Sequence, residues 1–129
     1  MAHGIAMKYV VVGLMACVAA TVQAASTDGS WHGVVREGSQ AVRATLQRKG
    51  DIARVHFGEP RNCAASAEFL EEISGSFHFR FKPVFNGGGF CEGLYPGDLV
   101  LTANGKGTTV RFRRAGASWS GDLSAKANP

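Results

Sequence analysis

Side chains able to do chemistry are thinly spread along this chain, and the most informative are two cysteines. Cys63 and Cys91 form no C-x-x-C, and neither has a His or Lys beside it to lower the thiol pKa. A redox or nucleophilic role therefore has nothing to build on, and the pair reads as a structural disulfide. His32, His56 and His78 each fall on an alternating stretch, with His56 and His78 opposite the apolar positions. On neighbouring strands those two could approach and hold a metal through their imidazoles. The plainer reading is three solvated surface histidines. Glu68, Glu71 and Glu72 gather near one turn, and Glu92 and Asp98 near another. Two carboxylates across a cleft could do acid–base work on a glycoside, but no spacing here fixes a separation. There is no nucleophile elbow, H-E-x-x-H, P-loop or dinucleotide fingerprint. Gly87-Gly88-Gly89 lacks the strand-to-helix setting of a phosphate cradle, so no catalytic, metal or cofactor residue is assigned.

The arginines and aromatics carry more. Arg80 and Lys82, Arg111, Arg113 and Arg114, and Arg36, Arg43 and Arg54 lie mainly on polar positions of alternating segments. If those segments are neighbours, they make an arginine-rich stripe, suited to bidentate contact with carboxylate or phosphate. Trp31, Trp119, Phe57, Phe77, Phe79, Phe81 and Phe112 read as core filling. Phe85, Phe90 and Tyr95 sit in or beside a glycine-rich loop next to Cys91, where exposed aromatics would serve recognition.

The elements that must position these groups are short strands. Val42, Ala44 and Leu46 alternate with Arg43, Thr45 and Gln47; Ala53, Val55 and Phe57 form the next apolar face after the Lys49-Gly50-Asp51 turn. Phe77, Phe79 and Phe81 alternate with His78, Arg80 and Lys82, the clearest case. Leu99 and Leu101 lead to the hairpin signal Asn104-Gly105-Lys106-Gly107, followed by Val110 and Phe112. The first strand runs through Trp31, Gly33 and Val35, and the last through Trp119, Gly121 and Leu123. Residues 62–75 fit either a short helix capped by Asn62 and Gly75 or a strand with Ala65, Ala67 and Phe69 on one face; the strand is preferred, since its neighbours are strands. Pro83 to Cys91 reads as the long flexible loop, and residues 125–129 as a tail. The expectation is an all-β fold: an antiparallel meander of about eight strands, closed as a barrel or folded as a sandwich, with one disulfide.

The N-terminus bounds the compartment. Lys8 precedes an uncharged run from Tyr9 to Ala20, and Val22-Gln23-Ala24 offers a cleavage site, which together read as a secretory signal peptide over 1–24. Met7 is a natural alternative start. Leu14-Met15-Ala16-Cys17 resembles a lipobox, giving the alternative of a lipoprotein acylated at Cys17, but the run stays apolar beyond that cysteine. Cleavage after Ala24 turns 129 residues, three cysteines and net charge +4 into a single domain, 25–129, with two cysteines and net charge +3. That places the chain in the periplasm or outside the cell, with no transmembrane segment in the mature chain. The charge is too small to argue for nucleic acid.

Trp31-x-Gly33, Val55-x-Phe57, Cys63, the phenylalanine strand, Cys91, Gly97-x-Leu99-x-Leu101 and Trp119-x-Gly121-x-Leu123 form one ordered pattern. It resembles the small disulfide-stapled β-domains of bacterial secreted proteins and receptor ectodomains. A second likeness, through Gly29-x-Trp31, is to lipocalin and avidin barrels. These likenesses imply fold and location. The functional expectation is an exported, non-enzymatic binding module, with an inhibitor or immunity-type protein as its most concrete form. Its partner would be an envelope protein or anionic envelope component, met through Phe85, Phe90 and Tyr95 with Arg80, Lys82, Arg111 and Arg113. The alternatives are a calycin-like carrier of a small ligand and, last, a small hydrolase.

Overall fold

The computed structural model describes residues 26–125. The segment read as a signal peptide, with Cys17, and residues 126–129 of the tail lie outside the described residues. The strands are β1 (Gly29–Glu37), β2 (Gln40–Lys49), β3 (Ile52–Phe57), β4 (Cys63–Ile73), β5 (Ser76–Phe81), β6 (Asp98–Ala103), β7 (Gly107–Arg114) and β8 (Ala117–Ala125), with one helical turn, α1 (Gly88–Glu92), between β5 and β6. Each strand pairs antiparallel with the next, and β8 returns to β1, closing a barrel. The expected meander is the observed one, and of the two closures the barrel is realised. Residues 63–73 form a strand, with Ala65 and Ala67 buried and Phe69 packed against the core.

Closure follows from sidedness. Each strand has one apolar face, and joining the first to the last buries those faces while leaving no unpaired edge. The seam is made by two glycines, one in each Trp-x-Gly motif. A methyl group on Gly33 would stand 2.9 Å from the Asp122 carbonyl oxygen, and one on Gly121 would run into the Val34 carbonyl. Only a missing Cβ lets the two backbones approach this closely. At the β6–β7 hairpin Gly105 takes φ +90°, and the Asn104 side chain accepts the Gly107 N–H at 2.8 Å. The hairpin stands where the Asn-Gly pair predicts it, with Gly105 rather than Asn104 taking the positive φ.

The interior is filled with side chains. Phe57, Phe79, Phe81, Leu46, Leu99, Leu101, Val55 and Val110 are all at most 1% exposed. Phe112 stacks parallel to Trp119 at 6.1 Å and meets Phe57 edge-on at 5.7 Å. A barrel of this strand number is just wide enough for such filling.

Each end is closed by an arginine. Arg48 falls on the inward parity of β2, and its guanidinium lies 4.5 Å from the Phe77 ring centroid and 5.1 Å from that of Phe79. It donates to Thr27 Oγ1 at 2.7 Å and to the Gly50 carbonyl at 2.9 Å, while Trp31 Nε1 donates to the Thr27 carbonyl. The rings accept the cation's face and the oxygens its edge, so the charge is satisfied without full hydration. At the other end Arg114, on the inward parity of β7, lies 4.7 Å from the Phe90 centroid. It donates to the carbonyls of Phe90 and Gly89 at 2.9 and 3.0 Å, tying the short helix to β7.

One buried group is unmatched. Thr108 is 0% exposed and its Oγ1 has no hydrogen-bond partner. A buried hydroxyl without a partner forfeits its hydration, so Thr108→Val should stabilise the fold by about 1 kcal/mol. A denaturant titration checks this: the midpoint rises with an unchanged slope, and a fall would mean the hydroxyl is satisfied.

Candidate functional site

The site expected from sequence lies around the α1 end of the barrel, and the structure divides its residues. Phe85 is 82% exposed and Tyr95 49% exposed, both on the segment joining β5 to β6. Phe90 is different. It was expected as an exposed recognition aromatic, and it is 5% exposed, with its ring 4.9 Å from Phe57 and 5.3 Å from Trp119. The physical reason is the helical turn: Phe90, Cys91 and Leu94 all point into the mouth of the barrel and bury together. The guanidiniums of Arg61 and Arg114 also lie over the Phe90 ring, at 5.0 and 4.7 Å. Phe90 is thus the anchor of the loop rather than its contact.

The segment read as a flexible loop is accordingly held at several points. Cys91 is bonded to Cys63 at the start of β4. Gly93 N–H donates to the Gly89 carbonyl and Gly97 N–H to the Leu94 carbonyl at 2.7 Å. Phe85 and Tyr95 project from this braced frame.

The expected arginine stripe is interrupted. Arg80 leaves from β5 and Lys82 from just past its end, Arg111 and Arg113 leave from β7, and β6 stands between. Arg80 Nε meets Asp98 Oδ1 at 2.8 Å, and Lys82 Nζ meets Glu68 Oε2 at 3.5 Å. Both pairs are exposed and worth at most about 1 kcal/mol, but each local charge is matched. Arg111 and Arg113 border an outer depression of about 450 Å³ with His78, Asp98, Val100 and Ser118. Arg113 donates to the Gly116 carbonyl at 2.7 Å, while Arg111 has no hydrogen-bond or ion-pair partner among the described residues. Arg114, grouped by sequence with these surface cations, instead turns inward.

The register brings together a different set. Arg111 faces Ser120 across β7–β8, and Ser120 faces Arg36 across β8–β1. This juxtaposition depends on the β1–β8 seam and has no local sequence signal. Arg48 does have one, since the alternation Val42, Ala44, Leu46 continues onto it.

The histidines do not converge. His56 pairs with Ala64 and His78 with Glu71, so β4 separates them. Among the described residues no cluster of three or more His, Cys, Asp or Glu is placed to hold a metal. The carboxylates Glu68 and Asp98 each face a cation rather than each other. Among the described residues no helix is long and apolar enough to cross a membrane. Comparison of the chain with protein-family models, with curated proteins and with solved structures gave no match.

Proposed function

We propose that this chain is an exported, non-enzymatic binding module that grips an envelope protein through the Pro83–Pro96 end of its barrel. An inhibitor or immunity-type protein is the most concrete form of that role. The observation that carries it is Phe85, a large aromatic side chain 82% exposed on a segment fixed by Cys91, Phe90 and Arg114. Exposing such a ring has no benefit to folding, and holding it rigid lowers the entropy lost on binding. Tyr95 adds a second aromatic with a polar tip. The signal peptide read from the sequence supports placing this encounter in the periplasm or outside the cell.

The carrier alternative requires an open interior, and the inward positions are occupied by Phe57, Phe79, Phe81, Phe112 and Trp119. That leaves the outer surface as the place where a partner is met.

Immobilised mature chain, exposed to envelope extract, tests the reading against a Phe85→Ala/Tyr95→Ala variant. The expected outcome is a partner retained by the wild type and weakened at least ~30-fold by the double substitution, as for aromatic anchors worth about 2 kcal/mol. Thermal unfolding of the variant should be unchanged within about 0.5 kcal/mol, because neither ring is in the core. Equal retention by both proteins would remove the loop from the binding surface.

A further inference from the structure

The outer wall formed by β7, β8, β1, β2 and β3 carries Arg111, Arg113, Arg36, Arg43 and Arg54, all exposed. Among the described residues Arg36, Arg43, Arg54 and Arg111 have no hydrogen-bond or ion-pair partner. The outward carboxylate on these strands, Asp122, is taken up by Thr109 Oγ1 at 2.7 Å and Asn104 Nδ2 at 3.5 Å. The opposite side differs: β4 carries Glu68, Glu71 and Glu72, and the cations of β5 are matched by Glu68 and Asp98. The charge of this barrel is therefore segregated by wall, although the net charge is small.

Between the arginines the wall carries small side chains. Ser120 stands between Arg111 and Arg36, Ser118 faces Arg113, and Ala41 faces Arg36. Two inter-strand steps put Arg111 and Arg36 about 10 Å apart, and two residues along β7 put Arg111 and Arg113 about 7 Å apart. Guanidiniums at such intervals, above small hydroxyl side chains, match a chain whose carboxylates recur every one or two units. We infer that the Arg36–Ser120–Arg111 row, extended by Arg113 and Arg43, is a binding site for a linear acidic polysaccharide.

The surroundings favour this occupant over two others. Of the large exposed apolar side chains, Leu70, Ile73, Phe85 and Tyr95 lie off this wall and Ile52 stands alone at the start of β3, so the wall has no apolar cluster to insert into a bilayer. The Arg36–Ser120–Arg111 row itself carries no large apolar side chain of the kind on which a protein partner's affinity usually centres. The site does not depend on Phe85 or Tyr95, so loss of the loop contact and loss of this one are separable.

The test is titration of the mature chain with a labelled oligogalacturonate at low ionic strength and again with added salt. Binding is expected and should weaken as salt rises. Arg36→Glu/Arg111→Glu should lower the affinity tenfold or more. Lys49→Glu/Lys106→Glu makes the same change in net charge at the distant Thr27 end of the barrel, and should change the affinity by no more than about twofold. All four side chains are exposed, and a melting curve verifies folding; Arg36→Gln/Arg111→Gln is the substitute should reversal disturb the wall. Equal weakening by both reversals would reduce the effect to net charge and overturn the site. So would no binding at low salt, or tighter binding to anionic phospholipid vesicles or a poly-glutamate peptide than to the oligosaccharide.

Discussion

Replacing Phe57 with alanine should lower the unfolding free energy by about 3–5 kcal/mol, the cost of removing a large aromatic from a core that cannot collapse into the space. The ring is 0% exposed and lies at the mouth of the barrel, edge-on to Phe90 at 4.9 Å and to Phe112 at 5.7 Å. Its deletion would open a cavity between Phe90 and Phe112, the two rings it contacts. Phe112 is fixed by its stack on Trp119, and Phe90 by the helical turn and the guanidiniums of Arg61 and Arg114. Neither can move in to compensate without giving up those contacts. Domains of this size have about 5–15 kcal/mol in all, so the variant should be near its folding limit at ambient temperature. Urea unfolding followed by tryptophan fluorescence is the direct measurement, with Trp119 as its nearby reporter. A loss below about 1 kcal/mol would show that the mouth repacks, and that Phe90 is not seated as described.

The same residue illustrates how far the sequence can be read. Phe57 is legible as core because β3 alternates strictly, with Ala53 and Val55 on its side and Arg54 and His56 on the other. Period-2 alternation is a local property, so it survives without knowledge of neighbours. Strand pairing along the meander is nearly as accessible, since short turns join successive strands everywhere except between β5 and β6. The seam is not. Pairing of β1 with β8 joins opposite ends of the chain, and its signals, Gly33 and Gly121, are meaningful only when the two backbones are brought together. A barrel and a sandwich both accommodate the pattern until that contact is made.

The candidate surface divides along the same line. Phe85 and Tyr95 are local features of a loop and stand where the sequence puts them. Phe90, one turn of helix away, does not, because a helix of five residues is too short to show its period. Its burial depends on Phe57, Trp119 and Arg114, contributed by β3, β8 and β7. The Arg36–Ser120–Arg111 row depends on the seam and was invisible for the same reason. Sequence reading places the charges on the outside; only register decides which of them share a wall.

Removing the disulfide should be nearly as costly as removing Phe57, but it should act on a different part of the molecule. Cys63 opens β4, and Cys91 sits in α1 at 0% exposure. The bond closes a loop spanning 28 positions of sequence. The chain-entropy account gives roughly 3.6 kcal/mol for such a loop. Alanine is the informative replacement at both sites, because serine would bury a hydroxyl with no assured partner. The ladder of eight strands does not pass through the bond, so Cys63→Ala/Cys91→Ala should keep the barrel and its far-ultraviolet spectrum. Its unfolding midpoint should fall by about 14–29 °C, using about 4–8 °C per kcal/mol for a domain of this size. The local consequence concerns recognition. Without Cys91 tied to β4, α1 is held in the mouth by Phe90 beneath Arg61 and Arg114, by the two Arg114 hydrogen bonds and by buried Leu94 just beyond it. Backbone amides from Gly89 to Gly97 should therefore exchange faster, while those of β7 and β8 report only the global loss. Binding through Phe85 and Tyr95 should weaken even though both rings remain, since the frame that orders them is gone. A variant with a lowered midpoint but unchanged exchange across 89–97 would show that the noncovalent contacts of α1 alone fix the loop. It would also move the role of the disulfide from presenting the recognition surface to stabilising the barrel beneath it.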